Sequence, residues 1–200
     1  MVNFRKGDPI FYQSDKSTDL YVVFRGKVRA SLLNREGEEF VLDVFGEGDF
    51  FGEMSLLDGR PRSASAIANE DAALGFLRRD KFLETIKAEP MIAIEMLNAL
   101  VHRLRKTDDV IGTLAFLDVS ERLLKFFREI AKTEGKKDKD GLLKIKKQTH
   151  KELASRIGSS REAISKALRI LWFKKLVSER DGYFLVSPDA GGLSEEKVSA

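Results

Sequence analysis

Two short stretches of the 200-residue chain gather side chains able to do chemistry. The first is Gly52-Glu53-Met54-Ser55, answered further on by Arg62-Ser63. A glycine lets backbone approach a ligand closely, and a short turn of helix behind it presents unpaired N–H groups. Arginine adds a charge-assisted fork and serine one more donor. These types suit an anion, and Glu53 adds an acceptor for a hydroxyl. The same Glu53 and Arg62 could equally close on each other, and Gly46-Glu47-Gly48 is too sparse a pattern to indicate a dinucleotide fold. The second stretch runs from Thr149-His150 to Ser160-Arg161-Glu162, Ser165 and Lys166. Cations, hydroxyls and a carboxylate of this kind grip phosphate or read base edges.

Other chemistries are excluded by composition. The chain has no cysteine, which removes disulfides, thiolate metal sites, cysteine-held iron–sulfur clusters and thiol redox sensing. With only two histidines, His102 and His150, a histidine-built zinc site is nearly excluded as well. No Walker loop, His/Asp triad or paired-histidine metal motif occurs. No apolar run approaches the ~18 residues of a membrane span, and the opening MVNFRKGDPIF lacks the apolar core of a signal peptide. A cytoplasmic protein with no membrane partner is expected. The net charge of +3 hides an asymmetry: residues 1–118 carry 16 Lys+Arg against 20 Asp+Glu, residues 119–188 carry 18 against 9, and residues 189–200 carry 1 against 3. Excess lysine can serve solubility alone, but a basic module joined to an acidic one points to a polyanion for the basic one.

Both stretches need rigid elements to hold them. Residues 1–89 read as β-structure, with β-branched and aromatic runs at Ile10–Tyr12, Leu20–Phe24, Val28–Leu33, Phe40–Phe45, Ser65–Ala68 and Ala73–Leu77 separated by turn residues at the rhythm of a small barrel. Asn34-Arg35-Glu36-Gly37 is a hairpin turn, and Gly26, Gly46 and Gly48 sit where positive φ is cheap. Asp80 is placed to cap a short helix over Lys81–Lys87, ahead of Pro90. From Pro90 the period becomes that of a long helix. Ala93, Leu97, Leu100, Leu104, Thr107, Ile111 and Leu114 follow at alternating steps of four and three, a narrow coiled-coil seam along which two chains meet. A helix packed on its own barrel would carry a wider stripe. Thr107 is the one polar residue in the seam, either fixing register or bonding something held between the helices.

A new helix opens at Asp118-Val119-Ser120-Glu121, whose Asp-x-x-Glu spacing is that of a capping box and marks a domain boundary. After Thr133–Gly141 and a strand at Leu142–Ile145, Thr149-His150-Lys151-Glu152 caps a helix closed by Gly158. Ser159-Ser160-Arg161-Glu162 reads as a third box, opening a helix that buries Ile164, Ala167, Leu168 and Leu171. A strand, an Asp181-Gly182 turn and a strand over Tyr183–Val186 complete a winged helix-turn-helix. On the helical wheel this burial turns Glu162, Lys166 and Arg169 outward, with Arg161 and Ser165 on the flank. Arginine offers a fork to guanine N7 and O6, and glutamate accepts from the cytosine amino group. Glu162 would otherwise only complete its cap and pair with Lys166, worth ~0.2–0.5 kcal/mol.

Barrel, long helix and winged helix-turn-helix in this order resemble the cyclic AMP receptor protein and FNR superfamily of bacterial transcription regulators, over residues 1 to about 188. The resemblance is most specific at Gly48-Asp49-Phe50-Phe51-Gly52-Glu53-Met54-Ser55-Leu56, Arg62-Ser63-Ala64, Leu114-Ala115-Phe116-Leu117-Asp118-Val119 and Ser160-Arg161-Glu162-Ala163-Ile164-Ser165-Lys166. The organisation expected is α+β: a cyclic-nucleotide-binding β-roll (double-stranded β-helix) at 1–89, a long dimerisation helix at 90–117, a C-terminal winged helix-turn-helix at 118–188 and a polar tail at 189–200. The resemblance implies that the segment around Gly52 is a phosphate-binding cassette, with the phosphate on Arg62 and Ser63 and a ribose hydroxyl on Glu53. Glu and Arg together mark the cyclic-nucleotide branch; the haem, iron–sulfur and 2-oxoglutarate branches are expected to lack that pairing. Thr107 falls where the cyclic AMP branch bonds adenine. Asp108 departs from the pattern, since its position, reaching in from the other subunit, is usually Ser. Ser14 likewise stands where the barrel turn often has Gly.

The function this implies is a homodimeric, sequence-specific transcription regulator, not an enzyme, gated by a cyclic nucleotide, cyclic AMP or a close relative, and using no metal, haem or iron–sulfur cluster. The ligand residues are Gly52, Glu53, Met54, Ser55, Arg62, Ser63, Thr107 and Asp108. Thr149, His150, Ser160, Arg161, Glu162, Ser165 and Lys166 would face double-stranded DNA, a palindromic operator with a TGTGA-like half-site, with RNA polymerase as a further partner. Two alternatives stay open. One is a regulator of the same fold that needs no small molecule, or a different one. The other is a cyclic-nucleotide-controlled enzyme or regulatory subunit, for which residues 119–188 leave little room.

Overall fold

The structure is a computed structural model and describes residues 1–133, 136–138 and 140–187. They form two compact units that divide between His102 and Arg103, inside the longest helix. In the first unit, eight antiparallel strands make two four-stranded sheets. One has the order β1 (Val2–Phe4), β8 (Ala72–Leu77), β3 (Leu20–Arg25), β6 (Phe50–Phe51); the other β2 (Pro9–Phe11), β7 (Ser65–Ala68), β4 (Val28–Leu33), β5 (Glu39–Phe45). Alternation along the strands sends Phe11, Val23, Val28, Phe45, Phe51, Ala66, Ala72 and Leu74 into one apolar core. Tyr21 and Phe45 each stack on Phe51 with ring centroids 5.3 Å apart. A smaller cluster of Leu20, Leu56, Phe82 and Met96 joins α1 (Glu53–Asp58), α2 (Arg79–Ala88) and the start of α3 (Met91–Phe116).

Strands form at all six expected runs, and β1 and β6 are added to them. Those two are only three and two residues long, too short to show alternation, and exist because β8 and β3 offer them edges. The Asn34–Gly37 turn closes as a hairpin, with Gly37 N–H donating to Asn34 O at 3.1 Å. Gly26 and Gly48 take positive φ, but Gly46 does not. Asp80 is not the cap of α2: Arg78 holds that place without a side-chain bond, and Asp80 lies in the first turn, where a carboxylate still favours the helix dipole. Ser14 adopts a left-handed φ of 73° despite being no glycine. Its N–H donates to Arg62 O at 2.9 Å, and Arg62 N–H donates to Asp15 O at 2.9 Å, so this turn clamps the Arg62 backbone.

Along α3 only Met96 is buried. Leu97, Leu104 and Ile111 are 56%, 62% and 58% exposed, and Ile94 and Val101 are also open. Among the described residues no helix is long and apolar enough to cross a membrane.

The second unit contains α4 (Val119–Thr133), β9 (Lys136–Lys137), β10 (Leu143–Lys146), α5 (His150–Ile157), α6 (Arg161–Phe173), β11 (Val177–Arg180) and β12 (Tyr183–Val186). Its sheet has the order β11-β12-β10-β9. Leu123, Leu124, Phe127, Leu153, Ile157, Ile164, Leu168, Leu171, Phe184 and Val186 fill one core between helices and sheet, giving a winged helix-turn-helix. The capping box at Asp118 forms, with Glu121 N–H donating to Asp118 Oδ1 and Asp118 N–H to Glu121 Oε2, both at 2.9 Å. Asp181 and Gly182, at φ 52° and 77°, make the tight turn between β11 and β12. The third box does not form as spaced. Ser160, not Ser159, is the N-cap of α6, its Oγ accepting from Ala163 N–H at 3.2 Å, which leaves Glu162 outside the box. The polar tail expected at 189–200 lies outside the described residues.

Candidate functional site

Gly52 opens α1 at φ 83°. A methyl on it would lie 2.7 Å from Arg62 Nη1 and 2.8 Å from Asp19 O, so glycine is required by both conformation and space. Arg62 is 3% exposed and held along its whole head: Nε donates to Ser17 Oγ at 3.0 Å, Nη1 to Gly52 O at 2.9 Å and Nη2 to Asp19 O at 2.8 Å. Its guanidinium carbon sits 4.0 Å over the Phe11 ring. All three acceptors are neutral, and each Nη keeps a further N–H. Burial pushes this guanidinium down from its ordinary value, against the pull of Tyr21, Asp19, Asp15 and Glu53. Arginine so far from neutrality remains charged.

Glu53 and Ser55 are buried in α1, and Met54 is exposed. Ser63 Oγ donates to Met54 Sδ at 3.3 Å. In the first unit Arg62 thus meets Gly52, Ser63 meets Met54, and Glu53 and Ser55 lie with Met54 in α1. The same unit adds Ser17, Asp19 and Phe11, which sequence reasoning missed; the polar run Asp15-Lys16-Ser17-Thr18-Asp19 was the available signal.

Thr107 and Asp108 stand exposed on α3, in the second unit. Thr107 Oγ1 donates to Arg103 O at 3.0 Å. By helical spacing the two residues flank the line of Leu104 and Ile111 on opposite sides.

In the helix-turn-helix, the capping box of α5 forms as read: Thr149 Oγ1 accepts from Glu152 N–H at 3.2 Å, and Thr149 N–H donates to Glu152 Oε2 at 2.7 Å. Arg161, Glu162, Lys166 and Arg169 are exposed on α6, and Ser165 is half-buried on the flank. One link was not legible in the sequence. His150 Nδ1 lies 2.8 Å from Ser165 Oγ, which itself donates to Arg161 O at 3.1 Å. His150 therefore ties the start of α5 to α6.

Comparison with known proteins gives a consistent answer. Residues 1–89 match the family model of the cyclic nucleotide-binding domain. The chain is similar to the cyclic AMP receptor protein of Thermus thermophilus, 39% identical over 172 residues that cover 84% of this chain and 74% of that protein. Among solved structures, a transcriptional regulator of the CRP/FNR family from Thermus thermophilus superposes with a TM-score of 0.75 at 26% identity, covering 93% of this chain and 92% of that one. The c-di-GMP responsive global regulator of Xanthomonas campestris superposes with a TM-score of 0.82, covering 92% of each chain; at 24% identity this is a likeness of fold.

Proposed function

The chain belongs to the cyclic AMP receptor protein and FNR (CRP/FNR) family of transcription regulators, and from that premise we propose that it is a homodimeric regulator gated by cyclic AMP held on Arg62. The observation that carries the ligand reading is the buried Arg62 guanidinium, fixed by neutral acceptors beside Gly52. A cyclic phosphodiester anion would take the N–H groups that these neutral acceptors leave on the two Nη atoms. Ser63 and the backbone after Gly52 add donors, and Glu53 accepts from the ribose hydroxyl. The adenine is met by Thr107 and by the partner subunit's Asp108.

Dimerisation would cover Leu97, Leu104 and Ile111, whose exposure in a single chain is costly. Ligand binding favours one arrangement of the paired helices, which sets the two copies of α6 ~34 Å apart, one turn of DNA. Arg161 then reads a guanine and Glu162, free of the cap, accepts from a cytosine amino group. Ser160, Ser165 and Lys166 flank this pair, while Thr149 and His150 face phosphate. The operator is a palindrome with a TGTGA-like half-site, and RNA polymerase is the partner that reads the bound dimer.

Calorimetry with cyclic AMP, cyclic GMP and cyclic di-GMP tests the ligand. Arg62→Lys keeps a cation but loses the fork, so cyclic AMP affinity should fall at least about tenfold, the ~1.5–3 kcal/mol of one charge-assisted hydrogen bond. Undiminished affinity in that variant, or no heat with cyclic AMP in the parent protein, would sink the assignment.

A further inference from the structure

With four methionines and no cysteine, the chain carries all of its sulfur as thioether. One of these sulfurs stands in the Arg62 site. Met54, the second residue of α1, is 55% exposed, whereas Met96 is 9% exposed within the small cluster that joins α1, α2 and α3. Met1 and Met91 are open as well, but Met1 precedes β1 and Met91 opens α3, so neither belongs to the segment that holds Arg62. The Met54 sulfur accepts a hydrogen bond from the Ser63 hydroxyl at 3.3 Å, and Ser63 is itself exposed. A thioether is a weak acceptor, so this bond yields readily to a phosphate oxygen. Ser63 follows directly on Arg62, whose backbone is clamped by Ser14 and Asp15 and whose guanidinium is fixed. The same hydroxyl thus serves the sulfur here and would serve the phosphate of a nucleotide on Arg62.

We infer that Met54 is an oxidation site through which hydrogen peroxide lowers nucleotide affinity, by way of the Ser63 hydroxyl. This rests on the cyclic-nucleotide reading of the Arg62 site. Sδ gives a lone pair to one oxygen of the peroxide, the S–O bond forms as the O–O bond breaks, and after a proton shift the second oxygen leaves as water. The thioether is oxidised by two electrons to the sulfoxide, and the peroxide is reduced to water. The new oxygen carries partial negative charge and accepts far more strongly than the thioether did, so it keeps the Ser63 proton for itself. A nucleotide on Arg62 then loses one donor and meets a dipole of the wrong sign. With no thiol in the chain and Met96 covered, peroxide is directed to the open sulfurs.

The test treats the full chain with hydrogen peroxide, follows each methionine by peptide mass spectrometry, and titrates cyclic AMP by calorimetry before and after. Met54 should gain one oxygen well ahead of Met96, and saturating cyclic AMP should slow the gain at Met54 but not at Met91. Sulfoxide at Met54 should lower cyclic AMP affinity about tenfold, the scale of one hydrogen bond to a charged group, and the two methionine sulfoxide reductases, one for each epimer, should restore it. Met54→Leu, titrated before and after the same treatment, should show no fall, whereas Met91→Leu should fall as the parent does. Ser63→Ala has no hydroxyl to divert, so peroxide should lower its affinity clearly less than the parent's. Exchange at the Val23 and Leu74 amides should be unaltered by peroxide, which sets the effect apart from unfolding. Undiminished affinity in protein carrying Met54 sulfoxide, an equal fall in Met54→Leu, or oxidation of Met54 no faster than of Met96 overturns the inference. An equal fall in Ser63→Ala overturns the route through the hydroxyl. A parent protein that gives no heat with cyclic AMP while Met54 still oxidises refutes the ligand reading instead, and the loss of affinity inferred from it falls too.

Discussion

Alanine at Gly52 should destabilise the barrel clearly more than alanine at Gly48, although both glycines share nearly the same backbone. Their φ angles are 83° and 86°, so each change imposes a left-handed conformation on a residue with a side chain, about 1–2 kcal/mol. At Gly48 the new methyl meets nothing within 4 Å. At Gly52 it would lie 2.7 Å from Arg62 Nη1 and 2.8 Å from Asp19 O. The arginine head can swing away, but Asp19 O is backbone and the arginine is what bonds it. Overpacking of this sort adds ~1–3 kcal/mol, giving ~2–5 kcal/mol at Gly52 against ~1–2 at Gly48. Native-state hydrogen exchange at the Val23 and Leu74 amides, on two strands of the barrel core, reads the barrel itself rather than the other unit. Calorimetry adds the functional half: Gly52→Ala displaces Arg62 and should lose cyclic AMP binding, while Gly48→Ala should keep it. Losses within ~0.5 kcal/mol of each other would refute the crowding argument, since that is the spread of independent small effects. Normal affinity in Gly52→Ala would refute the role of the Gly52–Arg62 contact.

Burial, then Asp19, raise the Tyr21 phenol above its ordinary value against the opposing pull of Arg62. The stability it contributes is full below the unfolded tyrosine pKa of ~10 and is lost as pH climbs through the higher folded value, so barrel protection should fall above pH ~10 and Tyr21→Phe should flatten that fall in exchange measurements. His150→Ala and Ser165→Ala should be non-additive in operator affinity, with a coupling of ~0.5–3 kcal/mol, because each removes the same 2.8 Å bond; additive losses in a double-mutant cycle would separate the two residues. Asp108→Ser should narrow a preference of at least about tenfold for cyclic AMP over cyclic GMP, since a carboxylate facing the guanine carbonyl opposes two acceptors. An unchanged ratio in competitive titration would leave Asp108 as a solvated flank of α3.

Local rules were enough for much of this chain. The boxes at Asp118 and Thr149, the Asn34–Gly37 hairpin and the buried stripe Ile164, Ala167, Leu168 and Leu171 depend on residues within about a turn of one another, and that spacing is written in the sequence. The residue types at Gly52, Glu53, Arg62 and Ser63 likewise suited an anion, and the order of the elements together with several short segments carried the resemblance to a family. What surrounds Arg62 was decided by the tertiary structure. Ser17 lies 45 residues away and reaches the guanidinium only because the sheets carry the loop before β3 alongside α1 and β7. The cap of α6 shows the same limit at short range. Ser159 and Ser160 are equally good caps by type, but Ser159 N–H is spent on Ala154 O at 3.1 Å in closing α5, so the cap passes to Ser160 and Glu162 is released. The His150–Ser165 bond needs the packing of α5 on α6 to exist at all. Capping and periodicity act over one turn of chain and can be read in order, whereas a hydrogen bond between distant segments follows from burying two apolar faces together, which no local pattern encodes.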